Sequence, residues 1–280
     1  MRIQLSEQNR SRRWKRSVKR YRRIRVVQTL SLCIFTFSIM VGIVQLRRYY
    51  LARKEYQSYN RWSNVIYCTS MPIIQEELNS IREDQNVQPT KKPYYNSYIE
   101  TLHKENADLA AWITIEGTDI SYPIVKGKDN AFYQNHTFRK KENPSGAIFM
   151  DFRNAKDFTD YNTVIYGHNM KDGSMFHGLR NYQDKVYALE HAEISILCDH
   201  KKLIYQIISA YIREDEFDFR AQNCKSPQEK RKFFEEITMR SENRLFNEPP
   251  VDTSLLTLVT CTGGTHDWYF VVHAMLTKEE

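Results

Sequence analysis

The sequence predicts a mainly β fold with flanking helices, built around an eight-stranded barrel that is closed or nearly closed and antiparallel or mixed. Three observations carry this. Beyond Ala110 the chain breaks into eight short apolar runs separated by turn residues, the texture of a small barrel. A single well-marked helix start, Ser226-Pro227-Gln228-Glu229, falls between the sixth and seventh runs. Upstream of the barrel, the apolar residues recur at helical rather than strand spacing.

Four segments follow from the composition: a basic tail (1–25), an apolar anchor (26–46), a helical stalk and linker (47–95), and the barrel domain (96–280). Val26 to Leu46 is 21 residues without a charge. At 1.5 Å per residue that crosses about 30 Å of hydrocarbon. From Arg48 to Ser70 there is neither Gly nor Pro, so a helix is expected to continue to Met71-Pro72. Glu76 to Asp84 reads as another helical stretch, and Asn86 to Tyr95, with Pro89 and Pro93, as a linker. Ser97 to Leu109 is expected to be a helix packed through Ile99, Leu102 and Leu109.

The strands are expected at 112–115, 120–125, 147–150, 163–166, 194–197, 203–211, 255–260 and 269–276. Within the intervening helix, Ser226 is the N-cap and Pro227 occupies the first position. Acids fill its first turn, and Phe233, Phe234 and Ile237 supply an apolar face.

Charge is divided unevenly. Residues 1–25 hold eleven Lys or Arg and one acid, Glu7, a net of +10, so the whole-chain +7 leaves −3 for the rest. The high pI therefore describes the tail, and nucleic-acid binding loses its main support. The tail instead sets topology and meets anionic lipid, which gives a single-pass membrane protein with a cytoplasmic N-terminus and an extracellular barrel. A cleaved signal peptide would show a shorter apolar region and a small-residue cleavage site, which Gln45-Leu46-Arg47-Arg48 does not offer.

Outside a membrane, paired cysteines default to disulfides. Cys33 lies in the span, and Cys68, Cys198, Cys224 and Cys261 show no spacing that demands a pairing or a metal site. Cys68 and Cys224 are expected in helices, and Cys198 at a strand end. Cys261 is different. It closes the run 255–261 and is followed by Gly263-Gly264, so its thiol is held rigidly yet open to a groove. Upstream, Thr163-Val164-Ile165-Tyr166-Gly167-His168 places a histidine just past another strand end. A cysteine and a histidine on two strand termini are the minimum for thiol acyl transfer.

These residues carry a resemblance. Asp108-Leu109-Ala110-Ala111-Trp112-Ile113, Tyr122-Pro123-Ile124-Val125 with Tyr133 and His136, Gly146 to Asp151, Tyr166-Gly167-His168-Asn169-Met170 with Met175-Phe176, and Thr257-Leu258-Val259-Thr260-Cys261-Thr262 occur in the order found in class B sortases. Those are membrane-anchored cysteine transpeptidases of Gram-positive bacteria, and the similarity covers roughly 106–275. The resemblance implies an eight-stranded barrel with N-terminal helices and a helix between strands six and seven. It implies Cys261 as the nucleophile that takes a C-terminal sorting motif of a secreted protein as a thioester, and His168 as the proton donor and acceptor. The acceptor would be an amine of a peptidoglycan precursor or of a pilin. No cofactor and no metal are implied.

One position departs from the family. Where sortases carry an arginine at the start of the last strand, this chain has Tyr269. Tyrosine offers one neutral donor against five charged ones. Three readings stand: Tyr269 or His266 supplies the donor, one of Arg153, Arg180, Arg213 and Arg220 substitutes, or the protein is an impaired sortase-fold scaffold that binds sorting motifs or pilins.

Overall fold

The structure is a computed structural model that describes residues 2–70, 94–198, 201–221, 224–241, 243, 253–262 and 268–280. The expected helix at 76–84 and nearly all of the expected linker lie outside the described residues.

Helix α1 spans Arg2–Ser70 without a break, running on past the apolar span as far as the expected stop at Met71-Pro72 and also taking in the basic tail. Gly42 alone interrupts its good helix formers, and a single Gly costs only about 1 kcal/mol. The chain divides into two compact units, Met1–Tyr50 and Leu51–Glu280. Between Lys19 and Tyr59 the helix is long and apolar enough to cross a membrane, a test that a signal sequence near an N-terminus also passes.

In the second unit, Ala52, Tyr56 and Tyr59 are buried. The Tyr56 hydroxyl donates to the Gly146 carbonyl at 2.7 Å and accepts from the Phe138 amide at 3.3 Å. Its ring meets Tyr122 edge-on, and Tyr59 meets Phe138 in the same way. Helix α2 is Tyr94–Glu105. Leu109, expected at its end, instead opens the first strand opposite Val125.

Eight strands follow: β1 Leu109–Ile115, β2 Ser121–Val125, β3 Ile148–Met150, β4 Asn162–Tyr166, β5 Glu193–Cys198, β6 Lys201–Arg213, β7 Leu255–Cys261 and β8 Tyr269–Glu279. They close into a barrel in the order β1-β2-β3-β4-β7-β8-β6-β5. Two pairings are parallel, β2 with β3 and β4 with β7, and the others are antiparallel.

Alternation along each strand divides the apolar residues between two cores. Leu256, Leu258, Phe270, Val272 and Ala274 face the interior. Leu255, Val259, Val271 and Tyr211 face outward beneath helix α4, Pro227–Arg240, which covers them with Phe233, Phe234 and Ile237. This helix starts as its sequence requires. The Ser226 hydroxyl accepts from the Glu229 amide at 3.2 Å, and the Glu229 carboxylate accepts from the Ser226 amide at 2.8 Å. Cys224, expected in a helix, lies in the loop before this cap, because Pro227 has no N–H to extend the helix backwards. A short helix not expected from sequence, α3 at Lys185–Glu190, is capped by Asp184.

Candidate active site

Strand β4 runs beside β7 with Asn162 opposite Leu255 and Tyr166 opposite Val259. The last backbone rung between them is the Gly167 amide donating to the Val259 carbonyl at 3.0 Å. Cys261 ends β7 two residues further on, and His168 follows just past the end of β4. On the other side of β7, Cys261 stands opposite Tyr269 of β8, and Tyr269 opposite Arg213 of β6. A row of three side chains, Cys261, Tyr269 and Arg213, thus crosses β7, β8 and β6 at one end of the barrel, with His168 beside it past the end of β4. His168, Cys261 and Tyr269 line one pocket of about 380 Å³, with Asn130, Gln134, Phe149 and Tyr166 among its other walls.

Each member is held by its neighbours. A Cβ on Gly167 would lie 2.5 Å from the Ile148 side chain and 2.7 Å from the Phe176 ring, so only glycine lets β4 finish flush against the core. His168 is half-buried, and its Nε2 sits 2.6 Å from the Gln134 carbonyl. A carbonyl can only accept, so Nε2 carries the proton. Asn169 donates through Nδ2 to the Cys261 carbonyl at 2.9 Å, and its Oδ1 accepts from His177 Nδ1 at 2.7 Å. The Cys261 thiol is exposed. Cys33, Cys198, Cys224 and Cys261 all stand outside disulfides.

Part of the pocket wall rests on a buried carboxylate. The Tyr166 hydroxyl and the Asn130 amide each donate to Asp151 Oδ2 at 3.1 Å. Arg153 grips the same carboxylate at 2.6 and 2.7 Å. Burial works against ionising Asp151, but the Arg153 hydrogen bonds override it and bring the carboxyl down to about 2. Burial, and then the charge on Asp151, push the Tyr166 hydroxyl up, so it remains a donor.

Two rows deeper lies a fully buried relay. Tyr211 donates to His273 Nε2 at 3.0 Å, and His273 Nδ1 donates to the Thr257 hydroxyl at 2.9 Å. Thr257 donates to Asn162 Oδ1 at 2.7 Å, and Asn162 Nδ2 reaches the carbonyls of Phe219 and Arg220. Burial lowers the His273 ring to about 3, so it is neutral, and the direction of every bond is fixed. The relay ties four strands to the loop that carries Phe219 against Tyr269, their ring centroids 6.2 Å apart.

The four arginines weighed from the sequence separate clearly. Arg153 is committed to Asp151 and Arg220 to Asp218. Arg180 is exposed on a 3-10 segment, His177–Gln183. Arg213 is next in the row, its guanidinium carbon 5.5 Å from the ring centroids of both Tyr269 and Phe219. His266 lies outside the described residues. The sequence gives no signal for the Gln134 carbonyl, whose part depends on backbone placement. Asn169 leaves a faint one, an amide side chain just past a strand end, where such groups bond to backbone.

A sortase-domain family model matches residues 113–277. Sortase B of Listeria monocytogenes is 47% identical over 97 residues, which is 35% of this chain and 39% of that protein. Sortase B of Staphylococcus aureus is 32% identical over 163 residues, 58% of this chain and 67% of that protein. A solved Staphylococcus aureus sortase B–substrate complex superposes with a TM-score of 0.61 at 26% identity, covering 78% of this chain and 99% of the other.

Proposed function

Because this chain belongs to the sortase family, within its class B, a group of cysteine transpeptidases, we propose that Cys261 is its nucleophile and His168 its proton carrier. The observation that supports this is that His168, just past the end of β4, and Cys261, at the end of the neighbouring β7, line one pocket.

The substrate is a C-terminal sorting motif of a secreted protein. The Cys261 thiolate attacks the scissile carbonyl carbon, forming a C–S bond. As the tetrahedral adduct collapses, the C–N bond breaks, and imidazolium His168 protonates the departing amine. In the second half, an amine of a cell-wall precursor attacks the thioester, neutral His168 takes its proton, and the thiolate leaves. Since Nε2–H is committed to Gln134, Nδ1 is the ring nitrogen that exchanges protons. Tyr269, next to the thiol in the row, is placed to donate to the developing oxyanion.

The apolar span 26–46 anchors the protein, with the basic tail 1–25 in the cytoplasm, a stalk and linker at 47–95, and the catalytic domain 96–280 outside the cell.

The test is acylation of the full-length protein in detergent micelles by a quenched fluorogenic peptide carrying a sorting motif. A hydroxylamine-labile adduct on Cys261 is expected, absent in Cys261→Ala. His168→Ala is expected to slow acylation by about 10² to 10⁴. No adduct across a panel of motifs, or an adduct that survives in Cys261→Ala, refutes the assignment.

A further inference from the structure

We propose that Asn169 is a positioning residue of this reaction, its side chain standing in for a missing rung of the β4–β7 ladder and holding the thiol-bearing residue in register with His168. The inference rests on the transpeptidase reading above.

The ladder shows what is missing. Gly167 donates its backbone N–H to Val259 O, so the next rung of this parallel pairing would join the Asn169 N–H to Cys261 O. The backbone has turned away by then. His168 O accepts from the Phe176 amide at 2.9 Å, and Asn169 forms an isolated bridge with Met175. That departure carries His168 off the sheet, where its ring meets Gln134. It also removes the backbone N–H that β4 would bring to the Cys261 carbonyl. The Asn169 side chain restores the bond at 2.9 Å from one residue beyond the base.

The amide is itself fixed. His177 Nδ1 can only donate to Asn169 Oδ1, which orients the NH₂ group toward Cys261. The other polar end of the same peptide unit is held too, since the Thr262 N–H donates to the Trp268 carbonyl at 3.0 Å. The Cys261–Thr262 peptide is therefore pinned from the His168 segment on one side and from the approach to β8 on the other. Asn169 is the side chain that couples the nucleophile's backbone directly to the segment bearing the base.

The expected signature is a loss in the chemical step rather than in substrate binding. Reacting groups displaced by about 1 Å cost up to about 10²-fold in rate. In the full-length protein in detergent, Asn169→Ala and the isosteric Asn169→Asp should each lower the acylation kcat by about tenfold or more, with KM within about twofold. His177→Gln keeps a donor for Oδ1 and should stay close to wild type, whereas His177→Leu should lose part of the rate. If Asn169→Ala does not fold, Asn169→Asp, which keeps shape and volume, decides. Unchanged kcat in the Asn169 variants, or a loss that appears in KM alone, overturns the inference. That result is distinct from failure of the transpeptidase reading, which would leave the wild-type protein without a thioester.

Discussion

At the scale of single residues, the role proposed for Tyr269 is open to a direct test. A tyrosine serving the oxyanion would bring one uncharged donor, and Arg213 rests against the face of the same ring. Tyr269→Phe preserves that face and removes only the hydroxyl. It is expected to lower kcat/KM by about 10²-fold, the lower end of what one oxyanion donor contributes. An unchanged rate would rule the hydroxyl out of the reaction. The residues proposed as nucleophile and base are both legible in the sequence, because a cysteine and a histidine at strand ends are a chemical pattern. Gln134 was not, since its contribution is a main-chain oxygen that any residue type would supply.

Among the elements, β4 does most to set the proposed site, since the chain passes from its end into His168 and it pairs with the strand that ends in Cys261. Its end is shaped by Gly167, whose missing side chain leaves room for Ile148 and Phe176. Gly167→Ala forces one of those to move or shifts the strand end. The expected result is a destabilisation of about 1–3 kcal/mol together with a fall in acylation rate, because His168 is the next residue. Paired thermal melts and kinetics check this, and a variant with wild-type values in both would show that the core yields without moving the base.

The strands themselves were readable from their apolar runs, and helix α4 from its cap. The run of α1 up to Met71-Pro72 was readable too, because nothing in residues 26–70 stops a helix, whereas its extension back through the basic tail to Arg2 was not. Leu109 was assigned to α2 because an apolar residue at a helix end looks the same as one opening a strand.

For the molecule as a whole, His273 predicts how stability depends on pH. An unfolded histidine titrates near 6.5 and the folded one near 3. Between those values the unfolded chain binds more protons, so stability is constant above about pH 6.5 and declines as pH falls toward 3. Asp151, lowered from 3.8 to about 2, adds its own loss only at the acid end of that range. Melting temperatures at pH 7.5 and pH 5 should therefore differ in the wild type and converge in His273→Gln, and an equal difference in both would exclude the relay as the cause. The closed barrel was legible as a class, but its strand order was not. The parallel β4–β7 pairing joins segments about ninety residues apart, and no local pattern encodes such a partner.

That long-range pairing has a consequence for biogenesis. Thiol and imidazole reside on stretches of polypeptide that meet only when β7 pairs with β4. A chain that has not yet made this pairing has both groups but no constellation, so acyl transfer awaits tertiary closure.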